Sequence, residues 1–126
     1  MSQPYLQIED LTKVYERGQV VALKKVSFSV EKGEFLVIIG LSGSGKSTLL
    51  RCINRLIEPS AGRILVDEVD VTALSTARMR RVRRKIGMIF QHFNLIKRST
   101  VLTNVLSGRL GYTPTWRSLL GLFTRA

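Results

Sequence analysis

The chain contains the stretch Gly40-Leu41-Ser42-Gly43-Ser44-Gly45-Lys46-Ser47-Thr48, which directly follows the apolar run Phe35-Leu36-Val37-Ile38-Ile39. The stretch fits the phosphate-binding pattern G-x-x-x-x-G-K-[ST] in its usual setting, with a predicted strand before it and a predicted helix after it. Glycines let such a loop fold into a nest of inward-pointing N–H groups, and the start of the following helix adds its positive end. The stretch therefore predicts a nucleotide-phosphate site.

Two side chains of this loop carry the expected chemistry. Lys46 is expected to reach the β- and γ-phosphates of a bound nucleotide, and the hydroxyl of Ser47 is expected to take one coordination position on Mg²⁺. The alternative is a flexible turn rich in glycine and serine, but that interpretation does not account for the lysine directly after the glycines.

Length and composition are typical of one globular unit, because 44% of the 126 residues are hydrophobic and 23% are charged. The apolar run before the loop is far too short to span a membrane, and the N-terminus lacks the pattern of a secretory signal. The single cysteine, Cys52, falls on the predicted helix after the loop. We expect a buried structural thiol there and a cytosolic protein.

Charge is distributed unevenly along the chain. Residues 1–70 contain nine Lys or Arg and nine Asp or Glu, whereas residues 71–126 contain eleven Lys or Arg and no acidic residue. The excess is typical of a surface for nucleic acid or for an anionic membrane. The same excess of positive charge is also expected if the acidic residues that pair with this half lie on a part of the protein outside this sequence.

Apolar spacing predicts alternating strands and helices. The predicted strands are 5–8, 26–30, 35–39, 64–66 and 86–90, and the predicted helices are an apolar-faced segment from Leu49 to Ile57, a short helix within 72–85 that begins near Ser75, and 100–110. This alternation predicts an α/β layered domain with a largely parallel sheet, in which 35–39 and 86–90 are buried.

Three further residues are candidates for the same site. Tyr15, in a predicted loop after the first strand, either stacks on a nucleotide base or simply packs against its neighbours. Gln91 directly follows the predicted strand 86–90, so it either faces the ligand crevice and contacts Mg²⁺ and the attacking water or is an ordinary polar residue at a strand end. His92, next to an aromatic residue, is expected to be structural.

The densest charge lies on the predicted helix within 72–85, in the cluster Arg78, Arg80, Arg81, Arg83, Arg84 and Lys85. A nucleic-acid site would interleave basic residues with aromatic ones or present a docking motif, and neither occurs in this stretch. We therefore expect a solvated face or a surface for an acidic partner. No cysteine and histidine residues have the spacing of a metal site.

Taken together, these residues resemble the ATP-binding subunit of an ABC transporter. Val14-Tyr15 is similar to the adenine-stacking A-loop, 40–48 to Walker A, 62–67 to the hairpin strand, and 86–91 to the Q-loop strand and glutamine. Within the family, the chain most resembles the ATPases of phosphonate importers, through Gly40-Leu41-Ser42-Gly43 and the segments 108–112 and 115–121.

The resemblance implies an α/β fold of residues 1–126, namely the N-terminal portion of one ABC ATPase domain. It would be a P-loop NTPase core with an N-terminal antiparallel β subdomain, truncated before the signature and Walker B segments. Tyr15 would stack on the adenine of ATP, and residues 40–48 would hold its phosphates. Ser47 and Gln91 would hold Mg²⁺, with Lys46 and Gln91 as the catalytic residues. Phe93, Leu95 and Ile96 would contribute to the groove for the permease.

The resemblance also implies the partners: a second ATPase subunit, two transmembrane permeases on the inner face of the plasma membrane, and an external solute-binding protein, with no nucleic acid. Two positions depart from the family pattern, Glu68 in the hairpin turn and Thr103 before Asn104. We expect local packing changes there. Since no acid follows Asp70, we expect the chain alone not to hydrolyse ATP. We also expect it to be marginally folded, because the resemblance implies that the strands flanking 35–39 belong to the missing half and because the positive charge of residues 71–126 is unopposed. The alternatives are an inactive remnant or a P-loop protein that binds nucleic acid.

Overall fold

The computed structural model describes residues 4–15, 19–90, 95–114 and 116–117. The elements run in the order β1 (Leu6–Tyr15), β2 (Val20–Val30), α1 (Lys46–Ile53), β3 (Ala61–Val66), β4 (Val69–Asp70), α2 (Thr76–Arg83), α3 (Val101–Ser107) and a 3₁₀ turn (Leu110–Tyr112). The chain divides into two compact units, residues 1–79 and residues 80–126. No helix within the described ranges is long and apolar enough to cross a membrane.

The first unit is built on one antiparallel sheet with the strand order β2-β1-β3-β4. Ile8 of β1 lies opposite both Phe28 of β2 and Ile64 of β3, so the central strand brings apolar side chains of three strands together. The predicted antiparallel subdomain is therefore confirmed. Its buried apolar side chains, with those of α1 and the segment that follows the sheet, are Ile8, Leu11, Leu23, Leu49, Cys52, Ile64, Val66, Val71 and Met79.

The prediction of buried strands at 35–39 and 86–90 was wrong for this structure. Neither segment is paired in a sheet within the described residues. Phe35 is 89% exposed and Ile89 is 100% exposed. A strand that is apolar on both faces needs neighbours on both edges, and the described part of the chain offers none. The expected largely parallel sheet is absent from the described residues for the same reason.

The helix after the phosphate-binding loop is shorter than its apolar spacing predicts. It ends at Ile53, because Asn54 caps it and Arg55 has a left-handed backbone with φ of 46°. The Arg55 guanidinium donates hydrogen bonds to the carbonyls of Val71 (2.8 Å) and Leu74 (2.7 Å), which holds the chain after the sheet against the end of the helix. Residues 54–57 are thereby diverted from the helical path.

Cys52 is buried in α1, as expected for a structural thiol. Burial raises the pKa of the thiol; the positive charge of Lys13 opposes this effect, and Glu58 adds to it. The thiolate is the reactive form of cysteine, so its raised pKa makes Cys52 a poor nucleophile.

The β3–β4 hairpin explains the unusual residue in its turn. Asp67 and Glu68 connect the paired residues Val66 and Val69, and both have positive φ values, 51° and 64°. Such two-residue turns favour Asn-Gly or Asp-Gly, because side chains are strained in the left-handed region. Glu68 therefore adopts the left-handed turn conformation at a local energetic cost.

Replacing Glu68 by glycine should relieve that cost. We expect Glu68→Gly to raise the free energy of unfolding by about 0.5–1 kcal/mol, because the gain at positive φ exceeds the extra entropy of glycine in the unfolded chain. Glu68→Ala is the control, since it removes the same carboxylate and keeps a Cβ atom. Urea unfolding measures both variants, and equal stability of the two would contradict the strain argument.

Candidate nucleotide-phosphate site

The loop between the exposed run 35–39 and α1 forms a tight, hydrogen-bonded cradle. The N–H group of Ser44 donates to the carbonyl of Leu41 at 3.2 Å, and the N–H group of Leu49 donates to the carbonyl of Gly45 at 2.8 Å, which begins the helical ladder. Gly43 and Gly45 have φ values of 81° and 90°. The resulting cavity has a volume of about 150 Å³ and is lined by Ala22 and residues 43–48.

The side chain of Lys46 lies folded over this cradle. Its Nζ donates to the carbonyl of Gly40 at 2.7 Å, to the carbonyl of Leu41 at 2.6 Å and to the Oγ of Ser44 at 3.2 Å. These three acceptors use all three N–H groups of an ammonium. The charge is thus held at the mouth of the loop, at the place where an anion above the helix would bind.

The same loop contains further donors suited to an anion. Within the described residues, the backbone N–H groups of Gly43, Gly45 and Lys46 make no hydrogen bond, and the first N–H groups of any helix lack intrahelical partners. Ser47 is exposed on the first turn of α1, and its hydroxyl makes no hydrogen bond with the described residues. Such an oxygen suits a hard cation like Mg²⁺.

Strand β2 fixes the position of the loop. A Cβ atom at Gly45 would collide with the carbonyl oxygen of Ala22 and lie 3.1 Å from the Cδ2 of Leu23. Only a glycine allows the loop to approach the strand this closely. Sequence reasoning assigned no role to Ala22, because this contact joins parts of the chain that are far apart in the sequence.

Tyr15 is the last residue of β1 and pairs with Val20 of β2, so the prediction that it lies in a loop was wrong. The Lys13 Nζ lies 5.0 Å from the centroid of the Tyr15 ring and donates to the carbonyl of Glu58 at 2.8 Å, which orients both side chains. Tyr15 does not line the cavity of the loop. Gln91, His92 and Phe93 lie outside the described residues, and Leu95 and Ile96 are exposed.

Within the second unit, Asn104 ties α3 to the segment before it, a role that sequence reasoning missed. Its side-chain amide donates to the carbonyls of Ile96 (3.2 Å) and Thr100 (3.0 Å) and accepts from the N–H group of Ile96 at 2.8 Å. Thr103 donates its N–H to the Thr100 hydroxyl at 3.2 Å, so the helix keeps its N-terminal cap despite the departure from the family pattern.

Comparison with known proteins identifies the family of this chain. The ABC transporter family model matches residues 23–124. The chain belongs to the ABC transporter family. It is 52% identical over 98% of its length to the phosphonates import ATP-binding protein of Lactobacillus gasseri and 54% identical over 99% of its length to that of Staphylococcus epidermidis. It covers 47% and 48% of these proteins, so this ABC chain spans about half the length of the curated relatives.

Solved structures of ABC cassettes share the fold. The chain is similar to the cassette MJ0796 in a dimeric post-hydrolysis state bound to ADP and Pi, with 36% identity, a TM-score of 0.75, and coverage of 96% of this chain and 49% of that one. A nucleotide-free cassette from an ABC transporter matches with 33% identity and a TM-score of 0.70, over 94% of this chain and 46% of that one. The predicted ABC ATPase fold is confirmed.

Proposed function

We propose that the chain is the ATP-binding portion of an ABC importer ATPase that powers the uptake of phosphonates or related phosphate esters. The observation that carries the proposal is the loop of residues 40–48, where Lys46 and the glycines whose N–H groups make no hydrogen bond with the described residues line one cavity. The substrate class is inferred from the names of the two relatives, which share more than half of their aligned residues with this chain.

The loop residues have the following proposed roles. The N–H groups of residues 40–48 and the Lys46 ammonium hold the phosphates of ATP, and the Ser47 hydroxyl takes one position on Mg²⁺. The exposed and unbonded hydroxyl of Ser47 fits that ion. We further propose that Tyr15 stacks on the adenine and that Gln91 contacts Mg²⁺. Bound Mg²⁺ supplies charge neutralisation between the phosphates.

The partner subunits are also proposed from the similar proteins. The dimeric state of the solved cassette supports pairing with a second ATPase subunit. Permease subunits at the inner face of the plasma membrane and an external solute-binding protein complete the importer, with a cytoplasmic position for the ATPase. Phe93, Leu95 and Ile96 are the proposed contacts for the permease. The comparisons do not favour the alternative of a phosphate-loop protein that binds nucleic acid.

A binding experiment tests the nucleotide assignment on the chain itself. We expect a fluorescent ATP analogue to bind about tenfold more tightly with Mg²⁺ than without it, and Ser47→Ala to abolish this Mg²⁺ dependence while binding without Mg²⁺ persists. Ser29→Ala, an exposed serine of β2, is the control. Phosphate release should stay at background, since no carboxylate after Asp70 is present to activate water.

Two outcomes would contradict this assignment: no nucleotide binding, or Mg²⁺ dependence that survives in Ser47→Ala. The substrate class has a separate test in the surrounding genes, which should encode a phosphonate-binding protein and permeases. Neighbouring genes for the uptake of amino acids or metals would move the chain to another group of importers.

A further inference from the structure

A second cavity lies within the unit of residues 80–126. Its volume is about 550 Å³, within the usual range of small-molecule pockets. The end of α2 supplies Arg80 and Arg83, the next residue supplies Arg84, and the turn after α3 supplies Gly108, Gly111 and Tyr112. We call this cavity the arginine cleft. It shares no residue with the loop of residues 40–48.

The two walls of the arginine cleft are joined by Tyr112. Its hydroxyl donates to the backbone carbonyl of Arg84 at 2.7 Å, and the Arg84 guanidinium lies 5.5 Å from the centroid of its ring. The hydrogen bond fixes the 3₁₀ turn to the residue that follows α2, and the cation–π contact restricts the guanidinium of Arg84. A Cβ atom added to Gly111 would lie 3.9 Å from the Cγ of Arg84, so the walls come close together there.

The unit that contains the arginine cleft has ten Lys or Arg residues and no Asp or Glu side chain. No Asp or Glu occurs after Asp70 in the sequence. Arg80 lies in the last turn of α2 and Arg84 directly follows the helix. Both line the same cleft, where their like charges repel each other. The helix C-terminus favours cations and offsets part of this repulsion. An anion bound between the two side chains would remove the remaining repulsion.

Guanidinium groups select among anions by shape. Their planar, forked donors match the oxygen pairs of phosphate and phosphonate groups, which they bind bidentately. A small anion with a short organic substituent can enter a concave cleft of this volume, whereas a flat membrane surface cannot follow its shape. The lining combines these donors with an aromatic ring and glycine backbone, and so offers both polar and apolar contacts.

We propose that the arginine cleft binds a small tetrahedral oxyanion of the phosphate or phosphonate class, with Arg80 and Arg84 as its principal ligands. This site is separate from the nucleotide-phosphate site, and the proposal does not depend on the nucleotide assignment, because the two sites have no residue in common. Binding there would neutralise charge in the acid-free half of the chain.

The test is an NMR titration of the ¹⁵N-labelled chain with methylphosphonate and, separately, with inorganic phosphate. We expect the amide signals of Gly108 and Gly111 to shift and saturate. Arg80→Gln and Arg84→Gln should each raise the dissociation constant about tenfold, because each removes a charge-assisted contact. Arg98→Gln is the matched control: the same charge is removed at an exposed arginine outside the cleft, and the constant should change less than about twofold.

The amides of Gly43 and Gly45 report on the other site in the same spectra, and their response should not depend on Arg80 or Arg84. Shifts confined to Gly43 and Gly45 would overturn the proposal, as would an equal response of Gly108 and Gly111 to chloride at matched ionic strength. In a parallel arm, vesicles of phosphatidylcholine and phosphatidylglycerol replace the free anion. The vesicles could remove the amide signals of Gly108 and Gly111 while methylphosphonate leaves them unchanged. That result would assign the cleft to lipid headgroups and would also overturn the proposal.

Discussion

On the proposed function, replacing Lys46 by alanine in an ATPase subunit that contains this chain should lower the rate of ATP hydrolysis by about 10²-fold or more, the scale of losing one preorganised charge contact. The Lys46 ammonium is held at the mouth of the loop by the carbonyls of Gly40 and Leu41, within reach of a phosphate bound over α1. Its removal takes away a positive charge where negative charge develops. The same change loosens the loop, because three hydrogen bonds are lost.

Steady-state phosphate release measures this effect, with Lys32→Ala as the control. Lys32 is an exposed lysine of the turn before the apolar run and makes no hydrogen bond to the loop within the described residues. Its replacement removes the same charge and should leave the rate within about twofold. Near-normal turnover in Lys46→Ala would exclude the Walker A assignment.

Replacing Gly62 by alanine should destabilise the first unit by about 3 kcal/mol or more. Gly62 has a φ of 92°, and an added Cβ would lie 2.5 Å from the carbonyl oxygen of Asp10 and 2.6 Å from the Cα of Leu11. Both neighbours are backbone atoms of the central strand β1, so they cannot rotate away. The strands β1 and β3 would have to separate at their register shift between Glu9 and Thr12.

Gly33→Ala isolates the steric part of this effect. Gly33 has a similar φ of 84°, but a Cβ there would meet no atom within 4 Å. The control therefore has the same backbone strain without the collision and should cost about 1 kcal/mol. Chemical denaturation compares the two variants, and similar losses of stability would mean that the strands adjust freely around Gly62.

Sequence patterns predicted the features that depend on neighbouring residues. The glycines and lysine of the phosphate-binding loop, the helix that follows it and the presence of a helix within 100–110 all depend on local sequence. The longer extent of β1 and β2 was missed, because the left-handed residues Asp10 and Lys25 interrupt the regular alternation of side chains on which a strand prediction rests.

The features that were missed depend on distant parts of the chain. The run 35–39 has the composition of a buried strand, yet Ile39 is 87% exposed, because pairing needs neighbours that composition alone does not reveal. The end of α1 is set by Arg55 and the carbonyls sixteen and nineteen residues further on. In the arginine cleft, Tyr112 bonds to Arg84, the residue that follows α2 and lies twenty-eight positions earlier in the sequence.

The bonds of Lys46 to its own loop have a consequence for the thermodynamics of nucleotide binding. With Gly40, Leu41 and Ser44 as acceptors, the ammonium holds the loop in an ordered shape before any phosphate arrives. Binding then exchanges carbonyl partners for phosphate oxygens, and little conformational entropy is lost in ordering the loop. Calorimetry should therefore find a small entropic penalty, with an enthalpy that reflects the difference between two sets of hydrogen bonds to the same lysine.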